Sequence, residues 1–173
     1  MRRSLLIVLA LIFVPVGDGA GLRGLPASLP APSFRPAVGW WVLTTGPTDG
    51  RQLAPEVWAA SDRGSSQLEL FDLFIGLRKL TDRGVVIWAT NSGKGEATSV
   101  FRKTRWPVRL STFRVENSWE GQPPANVQQR LRWVTVGGWH LDLRVYFGSQ
   151  HPTETVLRKA QAELDRLVLH GKQ

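Results

Sequence analysis

Across residues 127–169 the apolar positions change from a period of two to a period near 3.6, and this change constrains the fold more than any other feature. From Trp139 the alternation is strict. Trp139, Leu141, Leu143, Val145 and Phe147 are apolar, with His140, Asp142, Arg144 and Tyr146 between them. Successive side chains of a strand leave on opposite faces, so the run predicts a strand with one buried face. Leu131 and Trp133 alternate with Arg130 and Arg132 just before it. Gly137-Gly138 between the two runs supplies the positive φ of a tight hairpin.

Two registers fit this hairpin. A two-residue turn sets Val136 opposite Trp139 and puts Arg130 and Arg132 on the face of Leu143 and Val145. A three-residue turn sets Thr135 opposite Trp139, so that Trp133 meets Leu141, Leu131 meets Leu143 and Arg132 meets Asp142. A one-residue slip moves a whole apolar set to the other face, and burial favours the three-residue turn. Its cost is Arg130 opposite Arg144, a like-charge pair of up to roughly 1 kcal/mol.

The helical period follows. Pro152 suits a first helical position and Glu154 the positive end of the helix dipole. Val156, Leu157, Ala160, Leu164 and Leu167 form an apolar stripe opposite Arg158, Lys159, Glu163 and Arg166, with Gly171 as the stop. Burying that stripe contributes at most roughly 1.5–3 kcal/mol per large side chain.

Upstream, residues 40–45 and 56–60 read as strands, separated by the turn cluster Gly46-Pro47-Thr48-Asp49-Gly50. Ser66-Gln67-Leu68-Glu69 fits a capping box opening a helix to Leu80, with Leu70, Phe71, Phe74, Leu77 and Leu80 inward. Asp82-Arg83-Gly84 ends it. Residues 85–90 are almost all apolar or β-branched and predict a central strand covered on both faces. Residues 108–119 hold one or two more strand segments, with Val108, Leu110, Phe113 and Val115 as core and Pro107 limiting pairing at the start. The expectation is α+β: an antiparallel sheet of about five to six strands with two packed helices, in a single domain over residues 39–173. Eight tryptophans are expected to carry much of the core area.

Residues 1–20 are expected to be a signal peptide. Arg2 and Arg3 precede an apolar stretch, residues 5–16, that is short for a bilayer span. Asp18 departs from a small-x-small cleavage pattern, so an uncleaved anchor is the alternative. Residues 21–38, with Pro26, Pro30, Pro32 and Pro36, read as a Pro-rich linker. The chain has no cysteine, which excludes disulfides, thiolate metal sites, a cysteine nucleophile and a lipoprotein anchor. Its formal charge is +8, and +7 without residues 1–20. Such a surplus either keeps the protein soluble or steers it to anionic surfaces.

Several segments together carry a resemblance: Val38-Gly39-Trp40, Asp82-Arg83-Gly84-Val85-Val86-Ile87-Trp88-Ala89, Glu120-Gly121-Gln122-Pro123, Val145-Tyr146-Phe147-Gly148 and Gln161-Ala162-Glu163-Leu164-Asp165. Over residues 38–169 the chain resembles small secreted actinobacterial proteins of uncharacterised function. The strand order with a closing helix is similar to the PsbP/Mog1-like fold. The resemblance implies an extracytoplasmic α+β domain and brings no catalytic residues with it.

Candidate chemistry is sparse. His140 and Asp142 share a strand face, and Ser111 or Ser118 could serve as a nucleophile, but no nucleophile-elbow glycines accompany either serine. The competing reading is a solvated face with Asp142 paired to Arg132. His140, His151 and His170 lie on different elements without metal-ligand spacing, and His151 before Pro152 reads as a turn or cap residue. Gly93-Lys94-Gly95 lacks the rest of a phosphate-binding loop. No motif calls for a cofactor or a metal. The best binding candidate is the basic-aromatic run Phe101-Arg102-Lys103-Thr104-Arg105-Trp106-Pro107-Val108-Arg109. Arg102, Lys103, Arg105 and Arg109 would supply charge and Trp106 contact area for an anionic lipid, glycan or protein; a wet loop is the plain alternative. The function expected is a secreted, envelope-associated, non-catalytic binding or interaction module for an anionic partner, with no nucleic acid. The alternatives are a hydrolase with an unrecognised site and a structural subunit of a secreted complex.

Overall fold

The computed structural model describes residues 32–45, 56–62, 73–93, 100–116 and 124–169. The signal-peptide segment, the turn at 46–50, the capping box, Lys94, Gly95, Ser118, the turn at 120–123, His170 and Gly171 all lie outside them. In chain order the elements are β1 (Pro32–Phe34), β2 (Trp41–Thr45), β3 (Glu56–Ala60), α1 (Leu73–Arg78), β4 (Val85–Gly93), β5 (Arg102–Lys103), a 3₁₀ turn (Leu110–Thr112), β6 (Arg114–Glu116), β7 (Gln128–Val136), β8 (Trp139–Phe147), α2 (Glu154–Leu164) and β9 (Leu167–Leu169). The architecture is mixed α+β and mostly sheet.

Seven strands form one sheet in the order β2-β3-β4-β8-β7-β5, with β6 also paired to β7. The sheet is mixed, not antiparallel throughout: β5 runs parallel to β7 while the other pairs are antiparallel. A two-residue strand makes too few bonds for an alternating sequence signal, so the basic run gave no warning of it. β4 is central, as its apolar run predicts, and Val85, Val86, Ile87 and Ala89 are all fully buried.

The hairpin takes the two-residue turn. Val136 pairs with Trp139 around Gly137 (φ 57°) and Gly138 (φ 81°). Two successive positive φ values define the type I′ turn, whose twist matches that of the strands. The three-residue register is therefore corrected. Leu143 faces Arg132, Val145 faces Arg130, Asp142 faces Trp133, and Arg144 faces Leu131. Alternation within β7 misled because this strand lies near the sheet margin, where a guanidinium reaches water while its stem covers apolar surface. Arg130, for one, lays its guanidinium 5.4 Å from the centre of the Phe147 ring.

The inner face packs Val57, Ala59, Ile87, Ala89, Leu141, Leu143, Val145 and Phe147 against Val156, Ala160 and Leu164 of α2, with Val108, Leu110 and Phe113 beside them. The helix ends at Leu164, short of the expected stop. Thr153 is its N-cap and accepts from Val156 N, so Pro152 precedes the helix instead of opening it. The chain then turns, and Leu167–Leu169 becomes β9, antiparallel to β1. Part of the stretch expected as linker thus belongs to the fold: Pro32 and Phe34 are buried and β1 packs over β3 and β4. Proline suits an edge strand, which is why a Pro-rich composition hid it. Glu163, 1 % exposed, fastens this segment by accepting from Ala37 N at 3.2 Å, with Arg166 3.7 Å away. Burial pushes its carboxyl above the ordinary range; the Ala37 hydrogen bond and the Arg166 charge oppose the shift.

The outer face carries a second cluster, Trp58, Ala60, Val86, Val127 and Tyr146, covered by Leu77 at the end of α1 and by Leu80. Of the seven described tryptophans only Trp58 is buried; the others are half-buried. Aliphatic side chains fill the core, and tryptophans line its margin against cations.

Candidate functional site

β7 has two partners along one edge. β6 pairs with Gln129, Arg130 and Leu131, and β5 pairs with Val134 and Thr135. Arg132 and Trp133 fall in the interval between them. A groove of about 350 Å³ opens there, lined by Val100, Arg102, Thr112, Arg114, Leu131, Arg132 and Trp133. Three arginines from three strands therefore border one concavity, with a tryptophan and two aliphatic residues.

Each arginine is held differently. Arg132 donates to Thr112 O (3.0 Å) and to Thr104 Oγ1 (3.3 Å), while its Nε is buried with no acceptor. These bonds tie β7 to both ends of the segment between β5 and the 3₁₀ turn. Arg114 lies with its guanidinium 4.8 Å from the centre of the Trp133 ring and pairs with Glu116 at 3.0 Å. Its side chain is 58 % exposed, so that ion pair contributes little to stability and is open to exchange. Arg102 is exposed on β5.

The residues named from sequence divide in two. Arg102, Lys103, Arg105 and Arg109 are all exposed, and only Arg102 reaches the groove. Trp106 is half-buried against the inner core, so part of its area belongs to the fold. Phe101 lies with its ring centre 4.7 Å from that of His140, the two rings tilted by 37°. The strip's far end is pinned by α2: Gln161 donates to Val108 O (3.1 Å) and accepts from Leu110 N (2.6 Å). Arg109 occupies the N-cap position of the 3₁₀ turn without a side-chain cap, and Gln161 supplies the missing acceptor. Arg114, Arg132 and Trp133 were not singled out by sequence reasoning. The signal was the Arg130/Arg132 alternation, visible once the two-residue turn is taken.

The other candidates are committed to structure. His140 is buried, with Nδ1 2.9 Å from Thr135 Oγ1. Asp142 does not pair with Arg132, as expected from the three-residue register; it takes Arg144 of its own strand, whose terminal nitrogen donates to Oδ2 at 2.8 Å. Arg144 also lies 4.4 Å over Trp88, which stacks on Trp58 at 5.1 Å. Burial pulls this guanidinium down, but the hydrogen bonds and charges of Asp142 and Tyr146 outweigh it and raise its pKa. Ser111 lies exposed in the 3₁₀ turn, and His151 is exposed with its backbone N–H on Ser149 Oγ. Among the described residues no three His, Asp or Glu side chains gather to hold a metal ion, and no helix is long and apolar enough to cross a membrane.

The fold and groove define a mixed α+β domain with a cationic concavity at a sheet edge. Compared with family models, curated proteins and solved structures, the chain finds no match.

Proposed function

We propose that this protein is a non-catalytic binding module that acts outside the cytoplasm, at the cell envelope, on an anionic partner. One observation carries the reading: Arg102, Arg114 and Arg132 line a single groove beside Trp133, and the strip that leads from it bears Lys103, Arg105 and Arg109 in water. Guanidinium forks recognise carboxylate and phosphate groups bidentately, and exposed cations nearby raise the local concentration of anions. Export is supported by Arg2, Arg3 and the apolar stretch behind them, and by the resemblance to small secreted proteins.

The test is retention on anionic liposomes or wall polymer. Arg102→Glu with Arg105→Glu should abolish it, and rising salt should elute the parent, because exposed charges are screened within about 8 Å at physiological ionic strength. Equal retention of parent and double variant would refute the reading.

A further inference from the structure

We infer that the groove beside β7 is a phosphomonoester site, an inference that rests on the anion-binding reading and narrows it to one ligand chemistry. Charge balance is the first argument. Arg102, Arg114 and Arg132 bring three positive charges, and Glu116, 3.0 Å from Arg114, cancels one. Among the described residues the groove is thus doubly positive. A phosphomonoester carries about −1.5 to −2 at pH 7, whereas a carboxylate, a sulfate ester or a phosphodiester carries a single charge.

Geometry is the second argument. The three arginines lie on β5, β6 and β7 around one groove, and guanidinium forks bind phosphate oxygens bidentately. Arg132 is already fixed by Thr112 O and Thr104 Oγ1, which spares part of the ordering cost on binding. Arg114 can exchange Glu116 for the ligand, because both lie in reach of solvent. Val100, Leu131 and Trp133 offer apolar surface to the organic part of the ester. The volume, about 350 Å³, lies at the small end of ligand pockets, roughly 300–1,000 Å³. It suits a phosphate with a short organic group.

The same chemistry occurs in a soluble metabolite and in the headgroup of phosphatidic acid, and the experiment separates them. Phenyl phosphate, inorganic phosphate and phenyl sulfate are titrated calorimetrically into the purified chain. Vesicles of phosphatidylcholine with either phosphatidic acid or phosphatidylglycerol are tested by co-sedimentation. Phenyl phosphate should bind at least about tenfold more tightly than phenyl sulfate, and its affinity should fall below about pH 6 as the second phosphate proton returns. Arg114→Gln should weaken it by about tenfold, and Glu116→Gln should strengthen it by removing the internal competitor. Both substituted side chains have exposed surface, and thermal unfolding should show each variant folded. An Arg114-dependent preference for phosphatidic acid vesicles assigns the lipid headgroup, and binding of phenyl phosphate without that preference assigns a soluble ester. Equal binding of sulfate and phosphate, or no response to Arg114→Gln and Glu116→Gln, overturns the inference. If phenyl phosphate does not bind while the parent is still retained on anionic matrix through Arg105, the groove assignment falls and the binding module stands.

Discussion

Replacing Gln161 by leucine tests whether the cationic strip is held in place or merely rests there. The Gln161 amide on α2 grips the strip's backbone, taking Leu110 N at 2.6 Å and giving to Val108 O at 3.1 Å. Val108 and Leu110 are themselves core residues, 1 % and 4 % exposed, so the polar groups beside them have limited access to water. Leucine keeps the volume and removes both bonds. A buried backbone group left without a partner costs about 1–3 kcal/mol, and these two are only part-buried. We therefore expect a total loss of about 1–3 kcal/mol, or about 3–10 °C in Tm for a chain of this size. Gln161→Glu should be at least as damaging at pH 7, because a carboxylate oxygen would then face both Val108 O and the Asp165 carboxylate, which now accepts from Gln161 at 2.6 Å. Circular dichroism melts give the stability, and the salt concentration that elutes the protein from an anionic matrix gives the function. Elution should fall to lower salt for Gln161→Leu, since Arg105 and Arg109 lose their fixed spacing. A variant with parental Tm and parental elution would show that apolar packing alone holds the strip, and the argument from Gln161 would be wrong.

Two further substitutions probe the scaffold. Gly148→Ala would set a Cβ 2.0 Å from Thr81 O and 3.0 Å from Leu80 Cβ, so backbone must move; a loss of about 3 kcal/mol or more is expected in urea denaturation, against about 1–2 for Gly138→Ala, where space is open and only the φ of 81° resists. Glu163→Gln should flatten the pH dependence of stability. Burial raises the folded-state pKa of Glu163, so its contribution is full below the ordinary carboxylate pKa and is lost as pH rises through the raised value; urea midpoints at pH 4 and pH 7 should therefore differ less in the variant than in the parent.

Legibility followed pattern length. The nine-residue strands β4 and β8 were read from the sequence because one carries a continuous apolar run and the other a strict alternation. α2 was read from its stripe, but Leu167 fits both that stripe and β9, and nothing local separates the two; pairing with β1 decides. β1 itself was unreadable, because its three residues include a proline and its strand character comes wholly from a partner more than a hundred residues away. Short β5 falls below the length at which periodicity speaks, whereas β6 lies within the strand segments expected over residues 108–119, with Val115 exposed instead of in the core. The exposed cations of the strip were legible as a run. The groove was not, since Arg102, Arg114 and Arg132 are separated in sequence and meet only through pairing with β7.

The turn between β7 and β8 fixes more than the hairpin. Under the three-residue register Arg132 would sit opposite Asp142, and the two would neutralise each other across the strands. The type I′ turn shifts the pairing by one residue, sets Arg132 opposite Leu143, and leaves Asp142 to Arg144 on its own strand. Arg144 in turn takes the Trp88 face, so the only carboxylate at the middle of β8 is consumed on the outer side of the sheet. Arg132 is then held by a backbone carbonyl and a threonine hydroxyl, neutral acceptors that orient a guanidinium without cancelling its charge. Among the described residues, a groove with two unmatched positive charges follows from that choice of turn, which depends on two consecutive glycines able to adopt φ values of 57° and 81°.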